Sequence, residues 1–186
     1  QGFAEDLGVN ISLVRRRIIN LQFKVKFMTV GEQTKTKVAL LYVDGIASQA
    51  LLDEVEDRIG QIEIDGVLDS GYIQEFIQDS PFVPLPTIGQ TERPEIVAAR
   101  LLEGRVSVLV DGSPFALTMP YLFVEAFQAN EDYYNHWIGA TFHRIIRYIG
   151  FLLTISTPAV YLALVSYHPE LIPTNLVISI AAARKG

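Results

Sequence analysis

From Tyr148 to Tyr167 the chain runs for twenty residues, YIGFLLTISTPAVYLALVSY, with no Asp, Glu, Lys, Arg or His. No other feature restricts the fold as strongly. As a helix, such a run extends about 30 Å, the thickness of a bilayer's hydrocarbon core. The other reading is a helix fully buried in a soluble protein, but such helices usually keep a polar stripe and rarely need this length. A secretory signal would lie at the opposite end of the chain. Pro158 stands near the middle of the run. In water it would break a helix. In a membrane it is tolerated, because neighbouring helices and Ser or Thr hydroxyls re-satisfy the carbonyl it frees. Thr154, Ser156 and Thr157 come just before it. The expectation is a kinked transmembrane helix over 148–167.

The flanks set a direction. Arg144 and Arg147 precede the run, whereas His168 and Glu170 follow it and no Lys or Arg recurs until Arg184. Basic flanks stay in the cytoplasm, which places residues 1–147 inside and the turn carrying His168, Pro169, Glu170 and Pro173 outside. Tyr133, Tyr134, Trp137 and Tyr148 gather at the inner boundary. Amphipathic rings favour that depth, although packing in a soluble core is the alternative for any one of them. Leu171 to Ala183 is uncharged again, too short to cross as a helix, and reads as the start of a re-entrant or interfacial segment. The chain is expected to be a fragment that stops there.

Composition removes several function classes. There are no cysteines, so a disulfide scaffold, a thiolate metal site and a cysteine nucleophile are excluded. Three histidines leave little for a multi-histidine metal centre. The net charge of −6 argues against nucleic acid as a partner, since phosphate contacts need a basic face. The charge is uneven. Residues 1–30 hold five basic and two acidic side chains, whereas residues 31–100 hold five basic and thirteen acidic.

The part before the run reads as an α/β domain. Leu7, Ile11, Val14 and Ile18 recur at helical spacing over 3–20, with Arg15, Arg16 and Arg17 near the end, where cations suit the helix dipole. Phe23 to Val30 alternates as a half-exposed strand, and Lys37 to Asp44 is a nearly continuous apolar run that fits an inner strand. Ser48 to Ile59 is an amphipathic helix, Ile62 to Ile64 a short strand, and Ser70 to Gln78 a helix capped by Asp69 or Ser70. Pro81, Pro84 and Pro86 predict an extended loop, and Pro94 opens a helix running to about Glu103. Arg105–Val110 and Phe115–Met119 flank Asp111-Gly112-Ser113-Pro114 as a hairpin. Residues 121–147 read as helix in two pieces. The predicted fold class is α/β, a mixed sheet with packed helices, followed by a transmembrane helix.

A search for chemistry finds little. His136 and His143 lie seven apart, whereas helical metal ligands sit three or four apart and need a third partner. There is no nucleophile elbow, no P-loop and no dinucleotide fingerprint. Asp65 and Asp69 could be written as an acid/base pair, but a turn and a helix cap explain them. Arg15–Arg17 could meet anionic lipid or a partner, against a default of a solvated helix face. No catalytic residue, metal site or cofactor is expected.

The order of motifs adds a resemblance. TKTKVALLYVDGIA (34–47) is followed by EIDGVLDSGYIQEFIQDSPFVPLPTIGQTERPEIVAARLLEGRVSVLVDGSPFALTMP (63–120), then EDYYNHW (131–137), RIIRYIGF (144–151) and SYHPELIPTNLVISIAAARKG (166–186). The set resembles the A subunits of GerA-type spore germinant receptors of endospore-forming Firmicutes, across essentially the whole chain. The resemblance implies the second half of an N-terminal cytosolic region plus the first span. Residues 1–130 would be a cytosolic α/β subdomain and 131–147 an amphipathic linker helix at the membrane interface. Residues 148–167 would be the span, and 168–186 the external turn with a truncated second apolar segment. It implies a multi-pass protein of the inner spore membrane that self-associates as a nutrient-gated ion channel component. Its implied partners are a transporter-like B subunit and a lipoprotein C subunit. It supplies no catalytic residues to carry over and does not imply that a germinant binds this segment. A membrane-anchored binding or transporter-accessory protein without a pore of its own is the other reading.

Overall fold

The computed structural model describes residues 2–79, 86–127 and 137–167. It divides into two units, Gln1–Phe123 and Val124–Gly186.

The first unit is built on five strands: β1 (Phe23–Val30), β2 (Thr36–Val43), β3 (Gly89–Thr91), β4 (Val106–Val110) and β5 (Ala116–Met119). Their order across the sheet is β1-β2-β4-β5-β3. Four helices belong to this unit: α1 (Leu7–Arg15), α2 (Gln49–Gly60), α3 (Ser70–Ile77) and α4 (Pro94–Leu102). Val38 and Leu40 of β2, Val106, Val108 and Val110 of β4 and Leu117 of β5 pack with Leu52, Val55, Ile59, Ile73 and Ile77 from α2 and α3. Ala39, Leu41 and Val43 of β2 and Leu109 of β4 pack instead with Leu7, Leu13, Val14, Val97 and Leu101 from α1 and α4. The sheet thus lies between two helical layers. A strand covered on both faces has no solvent side, and for that reason the middle of β2 and, apart from the buried Ser107, β4 are apolar without alternation. β1 lies at the edge and alternates more, with Lys24, Lys26 and Phe27 exposed.

The expected architecture of packed helices on a sheet followed by a long apolar helix is the one found. All four strand pairings are antiparallel, which refines the mixed sheet expected from the alternation of elements. Helix α1 is shorter than its apolar spacing suggested. Asp6 caps it by accepting from the Val9 N–H at 2.7 Å, and Phe3 instead donates its N–H to the Glu92 carbonyl at 2.8 Å. Ile62–Ile64 is not a strand. The Ile64 and Asp65 carbonyls accept from the N–H groups of Glu32 and Gln33 at 3.0 and 2.8 Å, in the turn joining β1 to β2. The sequence reading missed β3, whose three residues are too few to show a period. Pro81 and Pro84 lie outside the described residues.

Several sequence stretches singled out above prove to be joints between distant elements. A Cβ on Gly66 would stand 2.7 Å from the Thr34 methyl, so a side chain there would have to displace Thr34 where the Ile64-Asp65-Gly66 turn closes on the β1–β2 turn. Gly104 has φ +88, and a Cβ on it would meet the Ile46 carbonyl oxygen at 2.8 Å. That contact joins the end of α4 to the turn after β2. The hairpin turn between β4 and β5 reaches two helix N-termini. Asp111 Oδ1 accepts from the Leu7 N–H at 3.3 Å, and Ser113 Oγ donates to Asp69 Oδ1 at 2.5 Å.

Candidate membrane segment and its anchors

A 3₁₀ turn, Phe123–Phe127, precedes the second unit's main element, α5 (Trp137–Leu162), which passes into a π-helical turn, Ala163–Tyr167. The helix runs unbroken from Trp137 across Arg147 and Tyr148. Over Ile138–Tyr167 its mean hydropathy reaches 1.8 and none of the most apolar window is buried. Twenty-six residues of α-helix extend about 39 Å, more than the hydrocarbon core requires. Phe142, Ile145, Ile149, Leu152, Leu153, Ile155 and Val160 all stand exposed along it. A helix apolar on every side is stable only in lipid or among other helices.

Pro158 lies inside α5. The carbonyl it leaves without an N–H partner belongs to Thr154, four residues earlier. Neighbouring helices and the Ser or Thr hydroxyls were the expected partners. The two threonine hydroxyls are directed elsewhere: Thr154 Oγ1 donates to the Gly150 carbonyl at 2.8 Å and Thr157 Oγ1 to the Leu153 carbonyl at 2.5 Å. A helical side chain leans toward the N-terminus, so a threonine hydroxyl reaches its own i−4 carbonyl.

At the start of the helix, Arg147 Nη1 donates to the Phe127 carbonyl at 2.9 Å. The Phe127 ring lies 5.2 Å from the Tyr148 ring and 4.9 Å, edge-on, from the Phe151 ring. One helical face, carrying positions 147, 148 and 151, therefore holds the end of the 3₁₀ turn through a charged hydrogen bond and two ring contacts. Of the expected anchors, Arg147 and Tyr148 are brought together here, Arg144 lies half-buried one turn earlier, and Trp137 opens the helix. Tyr133, Tyr134, His168, Pro169, Glu170 and Pro173 lie outside the described residues. Phe127 was missed in the sequence. Its only signal would have been an aromatic partner for the Tyr148 and Phe151 pair, which no spacing rule supplies.

The groups of the first unit weighed above for chemistry make structural contacts. Asp69 accepts from the Ser70 N–H at 2.7 Å as the cap of α3, and Ser113 Oγ also lies 3.1 Å from Ser70 Oγ. The Ser113 hydroxyl, then the N–H groups at the start of α3, hold the Asp69 carboxyl below its ordinary range despite partial desolvation. The arrangement fastens the β4–β5 hairpin to the start of α3. Asp65 takes part through its backbone carbonyl. His143 lies on α5, and His136 lies outside the described residues. Among the described residues no group of three His, Cys, Asp or Glu could hold a metal ion. Of the arginine cluster, Arg15 lies 5.6 Å over the Phe23 ring, while Arg17 donates to the Leu13 carbonyl and pairs with Glu95 at 3.4 Å.

Comparison with known proteins gives a consistent result. The family model described as Bacillus/Clostridium GerA spore germination protein matches residues 1–186. Spore germination protein KA of Bacillus subtilis (strain 168) is 47% identical over 185 residues, covering 100% of this chain and 34% of that protein. The uncharacterized membrane protein YfkQ of the same organism is 45% identical over 185 residues, covering 100% of this chain and 36% of that one. The chain thus spans about a third of the length of these curated relatives. Among solved structures, the N-terminal domain of the A subunit of the Bacillus megaterium spore germinant receptor GerK3 aligns with a TM-score of 0.53 at 43% identity. It covers 66% of this chain and 97% of that one.

Proposed function

The chain belongs to the GerA family of spore germination proteins, and from that premise we propose that it is part of the A subunit of a nutrient germinant receptor. In this reading the first unit is a cytoplasmic domain and the helix after it crosses the inner spore membrane. Trp137 to Arg147 lies in the inner interface, and 148–167 lies in the hydrocarbon. The assembled subunit acts as an oligomeric, nutrient-gated ion channel component, together with a transporter-like B subunit and a lipoprotein C subunit, and its opening triggers germination. The reading assigns no catalytic step to this chain.

One observation carries it: a folded unit that aligns with a germinant receptor A-subunit domain is followed, in the same chain, by a helix long and apolar enough to cross a membrane. The test is conductance. The full-length protein, reconstituted with its partner subunits in planar bilayers, should pass ions when nutrient is added. Nutrient binding without any conductance would support instead a membrane-anchored binding or transporter-accessory protein without its own pore.

A further inference from the structure

The sheet of the first unit has two chemically different ends. Phe23 pairs with Val43, Leu41 with Ser107, and Val106 with Met119. The start of β1, the end of β2, the start of β4 and the end of β5 therefore share one end. The chain leaves β5 at that end. The link between α1 and β1 lies there too, because the Asp44 N–H donates to the Gln22 carbonyl at 2.8 Å. In this link Ile19 and Leu21 are 92% and 95% exposed. Ile46 and Leu102 are exposed as well, at the turn after β2 and the end of α4, which meet through Gly104. Close to Ile19 and Leu21 in the chain stand Arg15, Arg16 and Lys24; Asp44 is joined to Gln22, and Glu103, beside Leu102, is paired with Arg105 at 3.0 Å.

The opposite end is acidic. It carries the β1–β2 turn, the Asp65–Asp69 segment and the β4–β5 turn, with Glu5, Asp6, Glu32, Asp65, Asp69 and Asp111 against Lys35 and Lys37. Leu68 is exposed there too, but between carboxylates.

Two nearly bare aliphatic side chains flanked by Arg16 and Lys24 are costly in water and suited to an anionic lipid surface. There the aliphatics enter the acyl boundary and the cations meet headgroup phosphates. We infer that the Ile19–Leu21 corner docks on the anionic lipid of the bilayer that the chain's own helix crosses, and so holds the basic end of the sheet against the membrane. This rests on α5 being a membrane span, and the experiment separates the two claims.

The sequence has no cysteine, so single-cysteine variants label cleanly. The chain carrying Leu21→Cys or, as control, Leu68→Cys is labelled with an environment-sensitive fluorophore. Each is reconstituted in vesicles of phosphatidylcholine alone or mixed with phosphatidylglycerol, with nitroxide-labelled acyl chains as quencher. Flotation with the vesicles reports the span; quenching reports docking. The expected result is quenching at position 21 in anionic vesicles and not at position 68. Arg16→Gln and Lys24→Gln should each lower the docked fraction's equilibrium about fivefold, the weight of one basic residue near an anionic surface. A chain that floats but is quenched equally at both positions, or at neither, overturns the docking. Shielding of position 21 that is the same in both lipids and in detergent assigns the corner to a protein surface and overturns it too. A chain that does not float removes the span, and the docking with it.

Discussion

Ser113 and Asp69, forty-four residues apart, are joined hydroxyl to carboxylate at 2.5 Å. Ser113 is fully buried in the turn between β4 and β5, and Asp69 caps α3. The contact links the hairpin at the middle of the sheet to the helical layer on one side of it. Ser113→Ala removes the donor without adding bulk. A hydrogen bond to a charged group contributes about 1.5–3 kcal/mol, and partial exposure of Asp69 keeps the loss near the lower figure. Urea denaturation of wild type and variant should show it as a lower midpoint with an unchanged slope.

The same carboxylate ties stability to pH. Its folded-state pKa lies below the ordinary value of about 3.9. Its contribution is therefore complete above that value and is lost as pH falls through the folded-state pKa. Asp69→Asn should lower stability at neutral pH and narrow the gap to wild type below about pH 4. Denaturation midpoints measured from pH 3 to 7 would check this; a gap that widens toward acid would contradict it.

Gly104→Ala should be among the most damaging of the small substitutions. Alanine at φ +88 costs about 1–2 kcal/mol, and its methyl would also stand 2.8 Å from the Ile46 carbonyl oxygen, which is backbone and yields little. The expected loss exceeds about 2 kcal/mol. Thermal unfolding of the variant, compared with the tolerated Gly60→Ala on α2, where an added Cβ has open space, would measure it.

Arg144 and Arg147 should govern the direction in which α5 inserts. Reversing both to Glu removes the basic residues closest before the span and should produce a mixed population in which part of the first unit is translocated. Protease protection in vesicles reads the fraction. Arg147→Gln alone should leave insertion intact while loosening the turn at Phe127, because the carbonyl there loses its charged donor. Faster amide exchange over 123–127 would report that loss.

A single charge in the apolar stretch should block integration. Leu152→Arg places a guanidinium near the middle of Ile138–Tyr167, at a cost of about 2.5–3.5 kcal/mol on insertion scales. Alkaline extraction should release a large share of the variant and little of the wild type. Equal retention would mean that α5 is held by something other than lipid.

What the sequence determined by itself was local and repetitive. The charge-free run around Pro158, the alternation of β1, the unbroken apolar β2, the Asp69 cap, Pro94 at a helix start and the Asp111–Pro114 hairpin can each be read from neighbours within a few residues. Periodicity, capping and solvation act on that scale. Only the tertiary structure decided which distant residues meet. Ser113 on Asp69 and Gly104 under the Ile46 carbonyl depend on strand order and layer, and Phe127 against Tyr148 and Phe151 depends on how the 3₁₀ turn meets α5. No single stretch of chain carries that information, because the free energy of such contacts is gained only after the intervening residues have been ordered.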